Sequence, residues 1–141
     1  WIRLALLARA YGAANRSFEQ VVSYAKERKQ FGVLIAKFQA IQHKLADLKI
    51  VKEAAKLIVY RVAHDKDSGK PLNHVHTSIA KAFVGDWGLQ AASEAVQIFG
   101  GYGYIHDYPI ERSLRDAKLA QIGGGTSEVQ RFILSRILGF L

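Results

Sequence analysis

Apolar residues recur at steps of three and four along most of this chain, and that spacing dictates helices. Leu7, Tyr11, Ala14, Phe18, Val21 and Ala25 form one stripe that runs to about Arg28. Phe38, Ile41, Leu45, Leu48, Ala55, Ile58 and Val62 form a second. A third starts near Leu72, passes through Val75, Ile79, Ala82, Phe83, Trp87, Ala91, Ala95 and Ile98, and stops at Gly100-Gly101. Each stripe occupies one face of an α-helix. Helices of about 27 residues reach ~40 Å at 1.5 Å per residue. No useful strand alternation appears. The expected class is all-α: an up-down four-helix bundle with an additional short helix and a C-terminal helix, all within one domain, 1–141.

Breaks in the pattern set the boundaries. Gln30-Phe31-Gly32-Val33-Leu34-Ile35 interrupts the first stripe with a glycine and β-branched residues. Asp67-Ser68-Gly69-Lys70-Pro71 places glycine and proline in the order of a helix stop. A short helix is expected after Pro109 and a last one from Ser127 to about Leu138, with Ser127 and Gln130 at capping-box spacing. Gly85, Gly88, Ala91 and Ala92 would let a neighbouring helix approach the third one closely.

Composition narrows the classes of partner. With 141 residues and half of them hydrophobic, the chain can bury a real core. The net charge of +8 favours an anionic partner, such as a phosphorylated cofactor. The 20 basic residues alternate with 12 acidic ones and form no dense run, which argues against nucleic acid. The absence of cysteine excludes disulfides and thiolate metal sites. His74 and His76, two apart, point to different sides of a helix and make a poor metal pair. No apolar run reaches the roughly 20 residues of a membrane span, and no signal-peptide pattern opens the chain. The expected location is cytoplasmic, or the mitochondrial matrix in a eukaryote. Trp1 falls inside a running helix without a cap, as expected of the tail of a longer polypeptide.

Two glycine clusters flank a charged connector: Gly100-Gly101-Tyr102-Gly103 and Gly123-Gly124-Gly125-Thr126, separated by Arg112-Ser113-Leu114-Arg115-Asp116-Ala117-Lys118. Glycine is the residue for positive φ or close backbone approach. The second cluster leads directly into a helix, whose free N–H groups and positive dipole end seat a phosphate, carboxylate or carbonyl oxygen. It lacks the ending of a P-loop and no strand precedes it. A flexible linker with a good helix cap is the competing reading.

The residues around these clusters carry a resemblance. Gln97-Ile98-Phe99-Gly100-Gly101-Tyr102-Gly103-Tyr104, Asp107-Tyr108-Pro109-Ile110-Glu111-Arg112, Arg115-Asp116-Ala117-Lys118 and Gly125-Thr126-Ser127-Glu128-Val129-Gln130-Arg131 closely resemble the C-terminal helical domain of the acyl-CoA dehydrogenases. Tyr24-Ala25-Lys26-Glu27-Arg28-Lys29-Gln30-Phe31-Gly32, Phe38-Gln39-Ala40-Ile41-Gln42 and Leu45-Ala46-Asp47 look like that family's earlier signatures, in the same order. The resemblance covers essentially all of the chain.

It implies a flavin-dependent enzyme that oxidises an acyl-CoA thioester between its α and β carbons. A carboxylate takes the α proton and FAD takes the β hydride. The N-terminal helical and middle β domains would lie elsewhere in the protein. The bundle would form the core of a homo-oligomer, dimer or tetramer, or of a heteromer with a related subunit, and the full enzyme would pass electrons to an acceptor. Carried over by motif, Arg28, Gln30 and Phe31 would reach the FAD of a neighbouring subunit, with Arg28 on the pyrophosphate, and Gln39 would contact the same cofactor. Gln97, Ile98, Phe99, Gly100 and Gly101 would lie along its adenosine portion, and Thr126, Ser127 and Glu128 would bind FAD at the start of the last helix. Arg3, Gly124 and Gly125 would face substrate, the Gly124 N–H donating to the thioester carbonyl.

The catalytic base departs from the pattern. The residue before Gly125-Thr126 is a glutamate in many members and is Gly124 here. Other members carry the glutamate before the arginine that matches Arg3, where this chain has Ile2. The catalytic residue is therefore unassigned: the base comes from elsewhere in the protein or from a partner subunit, or the chain is a silent subunit that clamps cofactor and oligomer.

Overall fold

The computed structural model describes residues 2–69, 71 and 73–140. Five helices follow one another: α1 (Ile2–Glu27), α2 (Gln39–Asp67), α3 (His74–Phe99), α4 (Ile110–Ile122) and α5 (Ser127–Ile137). The chain is all-α, as the periodicity requires. The first three are the long helices, α4 completes the four, α5 is the C-terminal helix, and a short 3₁₀ turn spans Gly100–Gly103. Trp1, read as lying inside a running helix, and Leu72, the expected start of the third helix, lie outside the described residues.

The stripes face inward. Leu7, Ala14, Val21 and Ala25 of α1 and Leu48, Ala55 and Val62 of α2 are buried, with Tyr11, Phe18, Leu45 and Ile58 packed half-buried beside them. Helix α3 is different, because it packs against all four other helices. It buries residues around most of its circumference, from Ala80 and Val84 to Ala91 and Ala95, as a helix apolar on every side must. Its small residues act unequally. A Cβ on Gly85 would lie 3.1 Å from the Ala120 carbonyl oxygen, so this glycine sets the α3–α4 approach, whereas Gly88 has open space around it.

The break after α1 is a minimal hairpin. Lys29–Gln30 pairs antiparallel with Val33–Leu34. Its two central residues, Phe31 and Gly32, have φ of 52° and 79°. Both values are positive, as a type I′ turn demands, and the turn matches the right-handed twist of the strands. Phe31 is unusual there, because a side chain with positive φ crowds the backbone.

One cap differs from expectation. Thr126, not Ser127, caps α5: its hydroxyl accepts the Val129 N–H at 3.3 Å. Ser127 and Gln130 therefore form no capping box. Ser127 turns its hydroxyl inward to Asp86, and the Gln130 amide bonds the Gly125 carbonyl. Asn73 caps α3 by accepting the Val75 and His76 N–H groups at 2.9 and 3.2 Å.

Candidate functional site

The end of α1, the hairpin and the end of α3 enclose an open cleft of about 490 Å³. Six of the residues expected at a cofactor line it: Arg28, Gln30, Ile98, Phe99, Gly100 and Gly101. Tyr24, Ile35, Tyr102 and Ile105 complete the wall. Tyr24 stacks on Phe99 with ring centroids 3.9 Å apart and donates its hydroxyl to the Phe99 carbonyl at 3.4 Å. Burial raises the Tyr24 phenol above its ordinary pKa, with Arg28 opposing, so Tyr24 stays neutral. Arg28 is the single charged residue in the lining. The cleft thus offers one guanidinium among aromatic and glycine surfaces, a composition suited to a phosphate joined to a flat apolar group.

The glycines of the first cluster divide by role. A Cβ on Gly100 or Gly101 would meet nothing within 4 Å, so these positions open onto the cleft. Gly100 also has φ of +61°. A Cβ on Gly103 would strike the Val96 carbonyl oxygen at 2.7 Å, so that glycine serves packing. Phe31, Gln39 and Gln97 lie outside the lining. Phe31 is 92% exposed at the hairpin tip, edge-on to Phe38. Gln39 begins α2 and Gln97 lies in the last turn of α3, both exposed.

The second cluster gathers around the loop from α4 to α5. Arg3 Nε donates to the Gly124 carbonyl at 3.2 Å. Lys81, buried on α3, donates its ammonium to the Ala120 carbonyl at the end of α4. Burial lowers the Lys81 pKa, Arg3 lowers it further, and Asp86 opposes both. Gly124 and Gly125 have φ of +70° and +95°. Among the described residues, none accepts the Gly124 N–H. That N–H is an exposed donor on a pinned loop.

The start of α5 is already occupied by the chain's own groups. The Glu128 backbone N–H and, after it, the Thr126 hydroxyl favour the charged carboxylate of Glu128, which holds it below the usual carboxylate range. Ser127 is buried, with its hydroxyl on Asp86 at 3.1 Å. Asp86 also accepts Gln121 Nε2 at 2.8 Å and Arg131. Burial pushes the Asp86 pKa up, but these three donors outweigh it and leave the carboxyl below its usual range. These two acids, Asp86 and Glu128, are thus stabilised as anions, which makes them weak proton acceptors. Ile2 is 75% exposed beside Arg3.

These two clusters sit at opposite ends of α1. Arg3 and Arg28 are separated by about 38 Å along the helix axis at 1.5 Å per residue, more than an extended dinucleotide spans. The sequence motifs did not point to Lys81 and Asp86. The available signal was charge within a largely apolar helix, at a buried Lys81 and a partly exposed Asp86.

Fold and clefts together define a helical-bundle domain with an arginine-bearing aromatic cleft at one end and a glycine loop with an exposed backbone at the other. Residues 1–139 match the family described as acyl-CoA dehydrogenase, C-terminal domain. An acyl-CoA dehydrogenase of Bacillus subtilis is 48% identical over 136 residues, covering 96% of this chain and 36% of that protein. The three-dimensional structure of butyryl-CoA dehydrogenase from Megasphaera elsdenii superposes with a TM-score of 0.92 at 46% identity, covering 96% of this chain and 35% of the other. A structure described as the FAD complex of PigA superposes with a TM-score of 0.92 at 29% identity, over 99% and 36% of the two chains. The chain belongs to the acyl-CoA dehydrogenase family and spans about a third of the length of these relatives. Among the described residues, no helix is long and apolar enough to cross a membrane, and no three His, Asp or Glu side chains gather as a metal site.

Proposed function

We propose that this chain forms part of a flavin-dependent oxidoreductase that dehydrogenates acyl-CoA thioesters between the α and β carbons. The observation that carries the reading is the exposed Gly124 N–H, without a partner among the described residues, on a loop held by Arg3. Such a donor polarises a thioester carbonyl and acidifies the adjacent carbon, because it is aimed at an oxygen that gains charge as the proton leaves. Named relatives support the substrate class: one is a butyryl-CoA dehydrogenase, another an acyl-CoA dehydrogenase.

The aromatic cleft fits FAD. Its open glycine face at Gly100 and Gly101 leaves the space a Cβ would narrow, and Arg28 supplies the charge for a pyrophosphate. The FAD complex of a structural relative supports this choice. When bound, the flavin supplies the acceptor for the β hydride. Arg28, Gln30, Phe31, Gln39 and Gln97 through Gly101 would hold one FAD, while Thr126, Ser127 and Glu128 would face another. The separation of Arg3 and Arg28 supports sites completed by a second copy or a related subunit. The backbone N–H of Ser127 is the donor left for that second contact, because the Ser127 hydroxyl is turned inward and the Glu128 N–H faces its own carboxylate.

A second reading is a silent subunit that clamps cofactor and oligomer. It is favoured by Gly124 and Ile2 standing where a base is expected, and by the bound state of Asp86 and Glu128. The test is anaerobic bleaching of the flavin's visible band in the full-length protein by a panel of acyl-CoA thioesters, for wild type, Ile2→Glu and Gly124→Glu. Bleaching by wild type establishes a dehydrogenase with its base elsewhere. Bound flavin that bleaches only in a glutamate variant establishes the silent subunit. A full-length protein that binds neither FAD nor acyl-CoA refutes both readings.

A further inference from the structure

Three consecutive glycines, Gly123 to Gly125, carry the proposed carbonyl donor. Such a run samples more backbone states than any other residues would. A donor that wanders loses most of its effect on a developing charge, because the benefit comes from being held in place beforehand. Something must fix the ends of this loop.

Both ends meet at one carboxylate on α3. Asp86 Oδ1 accepts Gln121 Nε2, from the last turn of α4, at 2.8 Å. The same oxygen accepts Ser127 Oγ, from the first turn of α5, at 3.1 Å. Oδ2 accepts Arg131, and Arg131 donates its other nitrogen to the Ser127 carbonyl at 3.2 Å. The segment leaving α4 and the segment entering α5 are therefore tied to the same oxygen, Asp86 Oδ1, while Arg3 and Lys81 hold the carbonyls of Gly124 and Ala120.

Resting on the functional reading above, we propose that Asp86 is a positioning residue that fixes the Gly124 N–H against the thioester carbonyl by clamping both ends of the glycine loop. Its oxygens are taken up by protein donors, so it touches no reacting atom. It acts through geometry alone. An anion is needed because three donors, one of them a guanidinium, converge on it, and a neutral amide would turn an N–H toward at least one of them.

The test uses the full-length protein loaded with its flavin. Infrared spectroscopy of a bound acyl-CoA, isotopically labelled at the thioester carbonyl, reads the polarisation directly. Hydrogen exchange reads the backbone of residues 123–128. In wild type the C=O stretch moves to lower frequency on binding. Asp86→Asn is expected to lose most of that movement, to speed exchange at 123–128 with the middle of α3 unchanged, and to lower kcat about ten- to a hundredfold with little change in KM. Ser127→Ala removes one donor and leaves the Arg131 pair. It is expected to move all three readouts in the same direction by less, and it serves as the decisive variant if Asp86→Asn does not fold. Wild-type carbonyl frequency and exchange in the folded variants overturn the clamp. A wild type that binds acyl-CoA without shifting its carbonyl overturns the functional reading, and the clamp's purpose with it. Faster exchange without any loss of carbonyl shift shows a purely structural role and also overturns the proposal.

Discussion

The Arg28 guanidinium lies over the ring of Tyr102, 4.9 Å from its centroid, inside the aromatic cleft. This stacking restrains a long side chain that would otherwise lose entropy on binding an anion. Tyr102→Leu should weaken FAD binding by about two- to fivefold, the worth of an exposed cation–π contact. Arg28→Lys should weaken it by about tenfold or more, since an ammonium cannot bind phosphate oxygens in pairs. Flavin titration of the apoprotein checks both. Equal affinity for the Tyr102 variant and wild type would remove Tyr102 from the site.

Glycines of one cluster should respond oppositely to the same substitution. Gly103→Ala pushes a methyl into the Val96 carbonyl oxygen and the Phe99 Cβ at 2.7 and 2.8 Å, and should cost about 1–3 kcal/mol of stability. Gly101→Ala meets nothing within 4 Å, and should leave stability within about 0.5 kcal/mol. Its effect should fall on FAD affinity instead. Thermal denaturation beside flavin titration separates the two.

Acid stability should depend on a pair that joins α2 to α3. The Asp65 carboxylate accepts the His76 ring nitrogen at 2.7 Å and Arg61 at 3.0 Å. The His76 hydrogen bond and Arg61 hold its pKa below the ordinary carboxylate value against the pull of burial. A depressed folded-state pKa stabilises the fold in full above the unfolded value, roughly pH 4, and the gain is lost as pH falls through the lower folded value. Asp65→Asn should be less stable than wild type at neutral pH, and the gap should close below that window. Denaturant melts across pH read this out. A gap that is constant with pH would show that charge plays no part.

The cap on α5 offers a clean local test. Thr126→Ala removes the acceptor for the Val129 N–H and should cost about 0.5–2 kcal/mol. Faster hydrogen exchange confined to the first turn of α5 is the expected pattern. Exchange that rises along all of α5 would place the defect in packing.

The helices were legible because α1 and α2 each bury one stripe, so Leu7, Ala14 and Val21 or Leu48, Ala55 and Val62 declare themselves by spacing. The start of α5 at Ser127 was legible, but its capping residue was misassigned because Thr126 and Ser127 are chemically alike. Only the turn of Ser127 toward Asp86, 41 positions away in sequence, decides which of them caps. The hairpin was seen as a break and not as paired strands, since Phe31 at positive φ hides the turn signal that Asn or Asp would give. Six cleft residues were readable from motifs. Asp86 and Lys81 were not, because α3 is buried on most sides and has no face whose period singles out a charge.

Gly124 sits where a side chain is doubly opposed. Its φ of +70° costs an L-residue roughly 1–2 kcal/mol. A Cβ would also come within 2.7 Å of Leu6 Cδ1. Leu6 ends in a flexible tip that can yield, so the backbone term should dominate. Gly124→Ala should therefore lose about 1–2 kcal/mol, and the loss should persist nearly unchanged in a Leu6→Ala background. Urea melts of the four proteins in that cycle check it. A penalty that vanishes with Leu6→Ala would assign the cost to contact and not to φ. The first outcome matters for function: a glutamate placed at 124 would carry the same backbone strain, so restoring a base there should lower stability by a similar amount.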